Sequence, residues 1–194
     1  MNALPSFDLT GQVALVTGAA RGLGSAIAIA LAEAGADVAL GLRELGCDAG
    51  LEAEIVARGR RTRSLQMDVS DVGQIQEAVA NTAQQFGRLD ILVNNAGIAL
   101  GDLAEYVCEE DFDRMTAINL KGTFFASQAA GRIMIEQRSG HIINVSSQAG
   151  FSGHYEFMKP IRTSKESKCD CPEAATVMSS GVERKAYGVR ACRA

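Results

Sequence analysis

One repeated alternation restricts this chain more than any other feature. Up to about Gly150, short β-branched or apolar runs alternate with longer segments of helical period, which is the signature of successive βα units building a parallel sheet. The pattern predicts strands near Val13–Thr17, Val38–Leu42, Arg63–Met67, Ile91–Asn94 and His141–Ser146. It predicts helices near Gly22–Ala34, Ala49–Arg58, Gln74–Phe86 and Asp111–Gln137. Five strands joined by crossover helices fit an α/β, doubly wound, Rossmann-like sheet.

The alternation stops at Phe151. Lys159, Arg162, Lys165, Lys168, Cys169, Cys171, Pro172, Ser179, Ser180 and Gly181 crowd a stretch with no sustained apolar period. Residues 1–150 hold 11 Lys/Arg against 18 Asp/Glu, whereas residues 151–194 hold 8 against 5, so the sign of the charge reverses at the same place. The expected organisation is therefore one domain over 1–150 and an atypical, poorly ordered tail over 151–194 that supplies no buried strand. No internal repeat is present.

Composition excludes several partners. A formal net charge of −4 leaves no broad cationic surface, so neither nucleic acid nor an anionic membrane is expected as a partner. Met1 to Thr10 carries no basic region followed by an apolar run, and no apolar stretch reaches transmembrane length, so the expected location is cytoplasmic. Five cysteines fit reduced thiols, and the C-x-C of Cys169 and Cys171 lacks the second pair that a structural zinc site requires, so no metal is expected.

The segment from Val13 to Ala28 runs an apolar strand directly into a helix whose first turn is glycine-rich. Gly18 permits a tight turn off the strand, Gly22 lets backbone N–H groups approach an anion, and Gly24 lets the helix pack closely. The spacing is G-x-x-x-G-x-G rather than G-x-G-x-x-G, and by itself it also fits a tight turn without ligand.

Four further motifs follow in order: Asp68-Val69, Asn94-Asn95-Ala96-Gly97, Asn119 within Ile118-Asn119-Leu120-Lys121-Gly122, and Ile142-Ile143-Asn144-Val145-Ser146-Ser147. Together with the glycine turn they resemble the short-chain dehydrogenase/reductase family over roughly Phe7 to Gly150, and within it the sugar, polyol and 3-oxoacyl reductase-like branch. The resemblance implies an NAD(P)-dependent oxidoreductase acting on a small alcohol/ketone pair. It places Thr17, Gly18, Arg21, Gly22, Leu23 and Gly24 around the pyrophosphate, Asp68 and Val69 at the adenine, and Asn95, Ala96 and Gly97 beside the nicotinamide. Asn119 would hold a proton-relay water from within a buried helical stretch, and Ser147 would hydrogen-bond the substrate oxygen. Family members are usually homo-oligomers, and they extend well beyond the length of this chain, so the resemblance implies C-terminal truncation and a fifth strand left as an open apolar edge.

For the nucleotide, an acid at the end of the second strand would bond the adenosine ribose and favour NAD. That strand ends instead in Leu42 followed by Arg43, and Arg21 adds a second cation. Paired guanidinium donors suit a 2′-phosphate, so NADP is the expected cofactor, with NAD as the alternative if both arginines are merely solvated.

The family's acid–base pair is a tyrosine with a lysine four positions on, the ammonium favouring phenolate. Tyr155 and Lys159 alone have that spacing. Tyr155 follows Ser147 by eight positions, a shorter interval than the resemblance implies, and Pro160 disfavours helix at Lys159. Two readings stand: an oxidoreductase using Asn119, Ser147, Tyr155 and Lys159, or a nucleotide-binding remnant without chemistry. A different Rossmann-like enzyme such as a methyltransferase would have an acidic ribose ligand after the second strand and no Asn-Asn-Ala-Gly.

Overall fold

The run Val13-Ala-Leu-Val-Thr17 is apolar up to its last residue because both faces of the strand it forms, β1, are covered, and all five residues are buried. The computed structural model describes residues 7–48, 50–100, 106–147 and 189–193. In chain order β1 is followed by α1 (Gly22–Glu33), β2 (Asp37–Leu42), α2 (Leu51–Ala57), β3 (Thr62–Gln66), α3 (Val72–Phe86) and β4 (Ile91–Asn94). Then come α4 (Glu109–Met115), a π-helical turn (Thr116–Gly122), α5 (Thr123–Gln137), β5 (His141–Val145) and β6 (Val189–Arg193).

The strands lie in the order β3-β2-β1-β4-β5-β6. The first five are mutually parallel, and the chain reverses direction across the sheet at β1, where β2 pairs on one side and β4 on the other. Strand alternation sends Leu15 to one face, where it packs with Leu65, Ile75, Leu92 and Met134 under α3 and α5. Ala14 and Val16 point to the other face, joining Val38, Leu40, Ile55 and Val93 under α1 and α2. This is the doubly wound arrangement that the alternation of short and long segments predicts.

Two polar devices fix the frame away from the carboxyl edge. Asp90, 3% exposed, accepts Val13 N–H at 2.9 Å and both Arg88 guanidinium donors at 2.7 Å, so the amino ends of β1 and β4 are tied together. The hydrogen bond to Asp90 raises the Arg88 pKa further above its ordinary value. Asp71 caps α3, its carboxylate accepting from Gly73 N at 2.8 Å and Gln74 N at 3.2 Å, and Gly87 closes the helix in the left-handed region with φ 85°.

Two expectations are corrected. The single helix expected over Asp111–Gln137 starts at Glu109 and is interrupted by the π-helical turn. The turn ends at Gly122, which lies against Val69, where a Cβ would strike the Val69 carbonyl oxygen, so the approach requires glycine. The second correction concerns the edge of β5, expected to stay open with no strand after Gly150. Val189–Arg193 pairs antiparallel along all of β5, from Val145↔Val189 to His141↔Arg193. An unpaired strand edge offers a row of backbone donors and acceptors, and a short segment can satisfy them through its own backbone without any apolar period. Among the described residues no helix is long and apolar enough to cross a membrane.

Candidate nucleotide-binding site

A cleft of about 620 Å³ opens at the carboxyl ends of β1, β2, β3 and β4. That is the edge of a doubly wound sheet where ligands bind, and the cleft straddles the strand at which the winding reverses. Every residue placed at the nucleotide by the sequence lines it, except Thr17 and Gly22.

The glycine turn shapes the inner wall. Gly18 adopts φ 65°, and a Cβ there would lie 3.0 Å from the Ala96 Cα. Gly24 has no room either: a Cβ would strike the Gly18 carbonyl oxygen and sit 2.6 Å from Asn95 Nδ2. Close approach of α1 is therefore to the turn itself and to the loop after β4. Gly22 differs, with φ 59° and no atom within 4 Å of where a Cβ would project, so the backbone conformation alone requires glycine and the space beside it stays open. The first turn of α1 carries no acidic residue and no side-chain cap, leaving its N–H groups and the positive end of its dipole toward the cleft.

Thr17 stands behind this wall, not on it. Only 1% exposed, its hydroxyl oxygen accepts the N–H groups of Asn95 and Ala96, each at 3.0 Å. Asn95 returns the contact, its Nδ2 donating to the carbonyls of Thr17 at 3.0 Å and Gly18 at 3.3 Å. The ends of β1 and β4 are thereby clamped across the point of reversal by a buried hydroxyl.

The outer wall is polar. The Asp68 carboxylate accepts from Ser70 N–H at 2.9 Å and Ser70 Oγ at 2.7 Å, so it shapes its own turn while facing the cleft. Arg43, just past β2, donates from Nη2 to Glu44 Oε1 at 3.3 Å, and both side chains reach the cleft. Sequence reasoning missed Glu44, and it missed Gln66, whose Nε2 donates to the Arg43 carbonyl. The signal for Gln66 was available once β3 was set beside β2 in parallel register, with Leu42 opposite Gln66.

Asn119 lies in the π-helical turn and is exposed, not buried as expected. Its amide is nonetheless engaged at both ends: Oδ1 accepts Ile98 N–H at 2.9 Å, and Nδ2 donates to Ile98 O at 2.8 Å. Behind it runs a polar chain. Thr123 Oγ1 donates to Asn119 O at 2.9 Å, Ser127 Oγ donates to Thr123 O at 2.7 Å, and Asn94 Nδ2 donates to Ser127 Oγ at 2.9 Å and Asn144 Oδ1 at 2.8 Å. Ser147 follows β5 by two residues at the same sheet edge and is exposed. Tyr155 and Lys159 lie outside the described residues.

Similarity to known proteins agrees with this geometry. The short chain dehydrogenase family model matches residues 12–166, a range that passes Gly150 and takes in Tyr155 and Lys159. The chain is 40% identical over 147 residues to the 3-oxoacyl-(acyl-carrier-protein) reductase of Synechocystis sp., covering 75% of this chain and 60% of that protein. It is 46% identical over 143 residues to the D-threitol dehydrogenase of Mycolicibacterium smegmatis, covering 74% of this chain and 55% of that protein. The crystal structure of a short-chain type dehydrogenase/reductase from Mycobacterium marinum superposes with a TM-score of 0.75 at 35% identity, covering 77% of this chain and 61% of that one. The chain thus spans between 55% and 61% of the length of these relatives. With the reversal of winding, the glycine turn and the Asn-Asn-Ala-Gly clamp all in one cleft, the chain belongs to the short-chain dehydrogenase family.

Proposed function

We propose that the cleft binds NADP(H) in preference to NAD(H), and that the chain serves the interconversion of a small alcohol and its ketone. The observation that carries the reading is the glycine turn, where Cβ atoms at Gly18 and Gly24 would collide with the wall of a cleft whose helix terminus carries no acid. A pyrophosphate fits that surface, meeting backbone N–H groups and the positive end of α1. Arg21 and Arg43 both line the cleft and would offer guanidinium donors to an adenosine 2′-phosphate, and Leu42, not a carboxylate, ends β2. A nicotinamide held there would supply a hydride to the ketone's carbonyl carbon or accept one from the alcohol's carbinol carbon.

The chain's own groups would manage the proton and the orientation. Under this reading Ser147 hydrogen-bonds the substrate oxygen, the Tyr155 phenol exchanges the proton, the Lys159 ammonium favours phenolate, and Asn119 holds water beside the loop it tethers. The names of the relatives point to polyol, sugar-acid or 3-oxoacyl substrates. A second reading, nucleotide binding without turnover, draws on the eight positions from Ser147 to Tyr155 and on Pro160 after Lys159. Titration with NADPH and NADH tests the first step, and Arg43→Ala should weaken the preference, with Arg21 retaining part of it. NADPH oxidation across a panel of ketones tests the second: turnover lost in Tyr155→Phe supports the enzyme, and no turnover with intact binding supports the remnant.

A further inference from the structure

We propose that Ser127 is a positioning residue: from beneath the cleft it fixes the Gly97–Ile98 end of the loop after β4, and with it the hold on the nicotinamide half of the nucleotide. The inference rests on the nucleotide reading above, with the nicotinamide beside Ala96 and Gly97. Ser127 stands off the cleft, half-buried on α5 next to Ala126, which packs into the core. Its hydroxyl is used twice. Asn94 Nδ2 donates to Ser127 Oγ at 2.9 Å, and Ser127 Oγ donates to the Thr123 carbonyl at 2.7 Å. One turn earlier the same bond recurs, Thr123 Oγ1 donating to the Asn119 carbonyl at 2.9 Å. Asn119 then clasps Ile98 through both ends of its amide. The donors therefore start from the last residue of β4, run back along α5 into the π-helical turn, and return to the same loop four residues on.

Two ties thus join the loop to one helical rod, Asn94 to Ser127 at its start and Ile98 to Asn119 at its end, with Asn95, Ala96 and Gly97 between them. Thr17 already holds the Asn95 and Ala96 N–H groups from β1, so the end left to the helix is Gly97–Ile98. Both of these residues line the cleft, and a Cβ at Gly97 would fall 3.3 Å from Asn119 Oδ1. Removing the Ser127 hydroxyl cuts the chain of donors where it meets the sheet, and lets the π-helical turn shift against Ile98. Asn94 keeps its bond to Asn144 Oδ1 at 2.8 Å, so β4 and β5 stay joined and the effect stays local. The chain of donors does not pass through Arg43 or Asp68 on the outer wall.

The test compares Ser127→Ala and Ser127→Thr in the full chain, titrated with NADPH and with adenosine 2′,5′-bisphosphate, which lacks the nicotinamide half. In Ser127→Ala, NADPH should bind about two- to tenfold more weakly, the range for one net hydrogen bond, and the bisphosphate should bind unchanged. Amide exchange should quicken at Ile98 and stay as in wild type at Leu15 in β1. Ser127→Thr keeps a hydroxyl that can bond the carbonyl four residues back, and it should match wild type in each readout. In an Asn119→Ala background Ser127→Ala should add nothing, because the two residues act in series. Equal weakening of both ligands marks a merely structural residue and overturns the proposal. So do unchanged NADPH binding, an undiminished loss without Asn119, and a threonine variant that behaves as the alanine one. If wild type binds neither ligand, the nucleotide reading fails and exchange at Ile98 decides the anchor by itself: faster exchange in Ser127→Ala upholds it, and unchanged exchange overturns it.

Discussion

Replacing Gly24 by alanine should damage both stability and nucleotide binding, although alanine is the better helix former. Gly24 occupies the first turn of α1, and the added methyl would meet the Gly18 carbonyl oxygen, the Gly18 carbonyl carbon at 3.0 Å and Asn95 Nδ2 at 2.6 Å. Two of those atoms are backbone, and Asn95 is already held by its bonds to Thr17 and Gly18, so nothing nearby yields without moving the turn. Overpacking of this kind costs about 1–3 kcal/mol. The helix propensity regained is at most about 1 kcal/mol. With rigid partners the upper part of the first range applies, and the net loss should be about 1–2 kcal/mol, or roughly 2–8 °C in Tm for a chain of this size. Gly131 in α5 is the matched control, because a Cβ there meets nothing within 4 Å. Gly131→Ala should stabilise by roughly 0.4–1 kcal/mol. Urea unfolding of both variants, with NADPH titration alongside, decides the matter: Gly24→Ala should also bind NADPH about tenfold more weakly, equivalent to about 1.4 kcal/mol. If Gly24→Ala proved as benign as Gly131→Ala, the close approach of α1 to the turn would not be the reason for glycine, and the cradle argument would fail with it.

Thr17→Val keeps the shape of a buried side chain while leaving the Asn95 and Ala96 N–H groups without their acceptor; urea unfolding should show a loss of about 2–6 kcal/mol, at about 1–3 per orphaned group, and a change below about 0.5 would refute the clamp. Asp71→Ala should lower stability by about 1 kcal/mol through loss of the α3 cap, and an unchanged urea midpoint would show the cap to be idle. Asn119→Ala should leave global stability within about 1 kcal/mol, because the residue is exposed, yet speed hydrogen exchange at the Ile98 amide; unchanged exchange there would mean the tether does not order the loop.

Strands buried on both faces announce themselves, which is why β1, β2 and β4 were legible as largely apolar runs with polar residues only at their ends, while the edge strand β3, with Leu65 its one buried residue, was legible mainly from its place in the alternation. The glycines of the turn were legible because a positive φ or a crowded Cβ leaves no other choice. The π-helical turn was not, since a turn widened by one residue has no periodic signature, and the contact at its end, between Gly122 and Val69, joins residues far apart in sequence. The same distance concealed the partners of Asn94 and Asn95: an amide in a sequence declares what it can bond, never which strand end it will bond. β6 was illegible for another reason, because Val-Arg-Ala-Cys-Arg pairs through its backbone and needs no pattern of side chains to do so. Glu44 escaped notice because the sequence question was whether an acid ends β2, and this one follows by two positions.

The committed amides carry a consequence for the chemical ageing of the protein. The Nδ2 of Asn94 faces Asn144 Oδ1 and Ser127 Oγ, that of Asn95 faces the carbonyls of Thr17 and Gly18, and that of Asn119 faces the carbonyl of Ile98. Deamidation exchanges each NH2 donor for a carboxylate oxygen, so at Asn95 and Asn119, whose partners are backbone carbonyls, contacts that hold the loop after β4 would become repulsions between acceptors. Spontaneous hydrolysis of a single amide would therefore unfasten this end of the sheet without breaking the chain, removing a residue, or disturbing the apolar layers beneath.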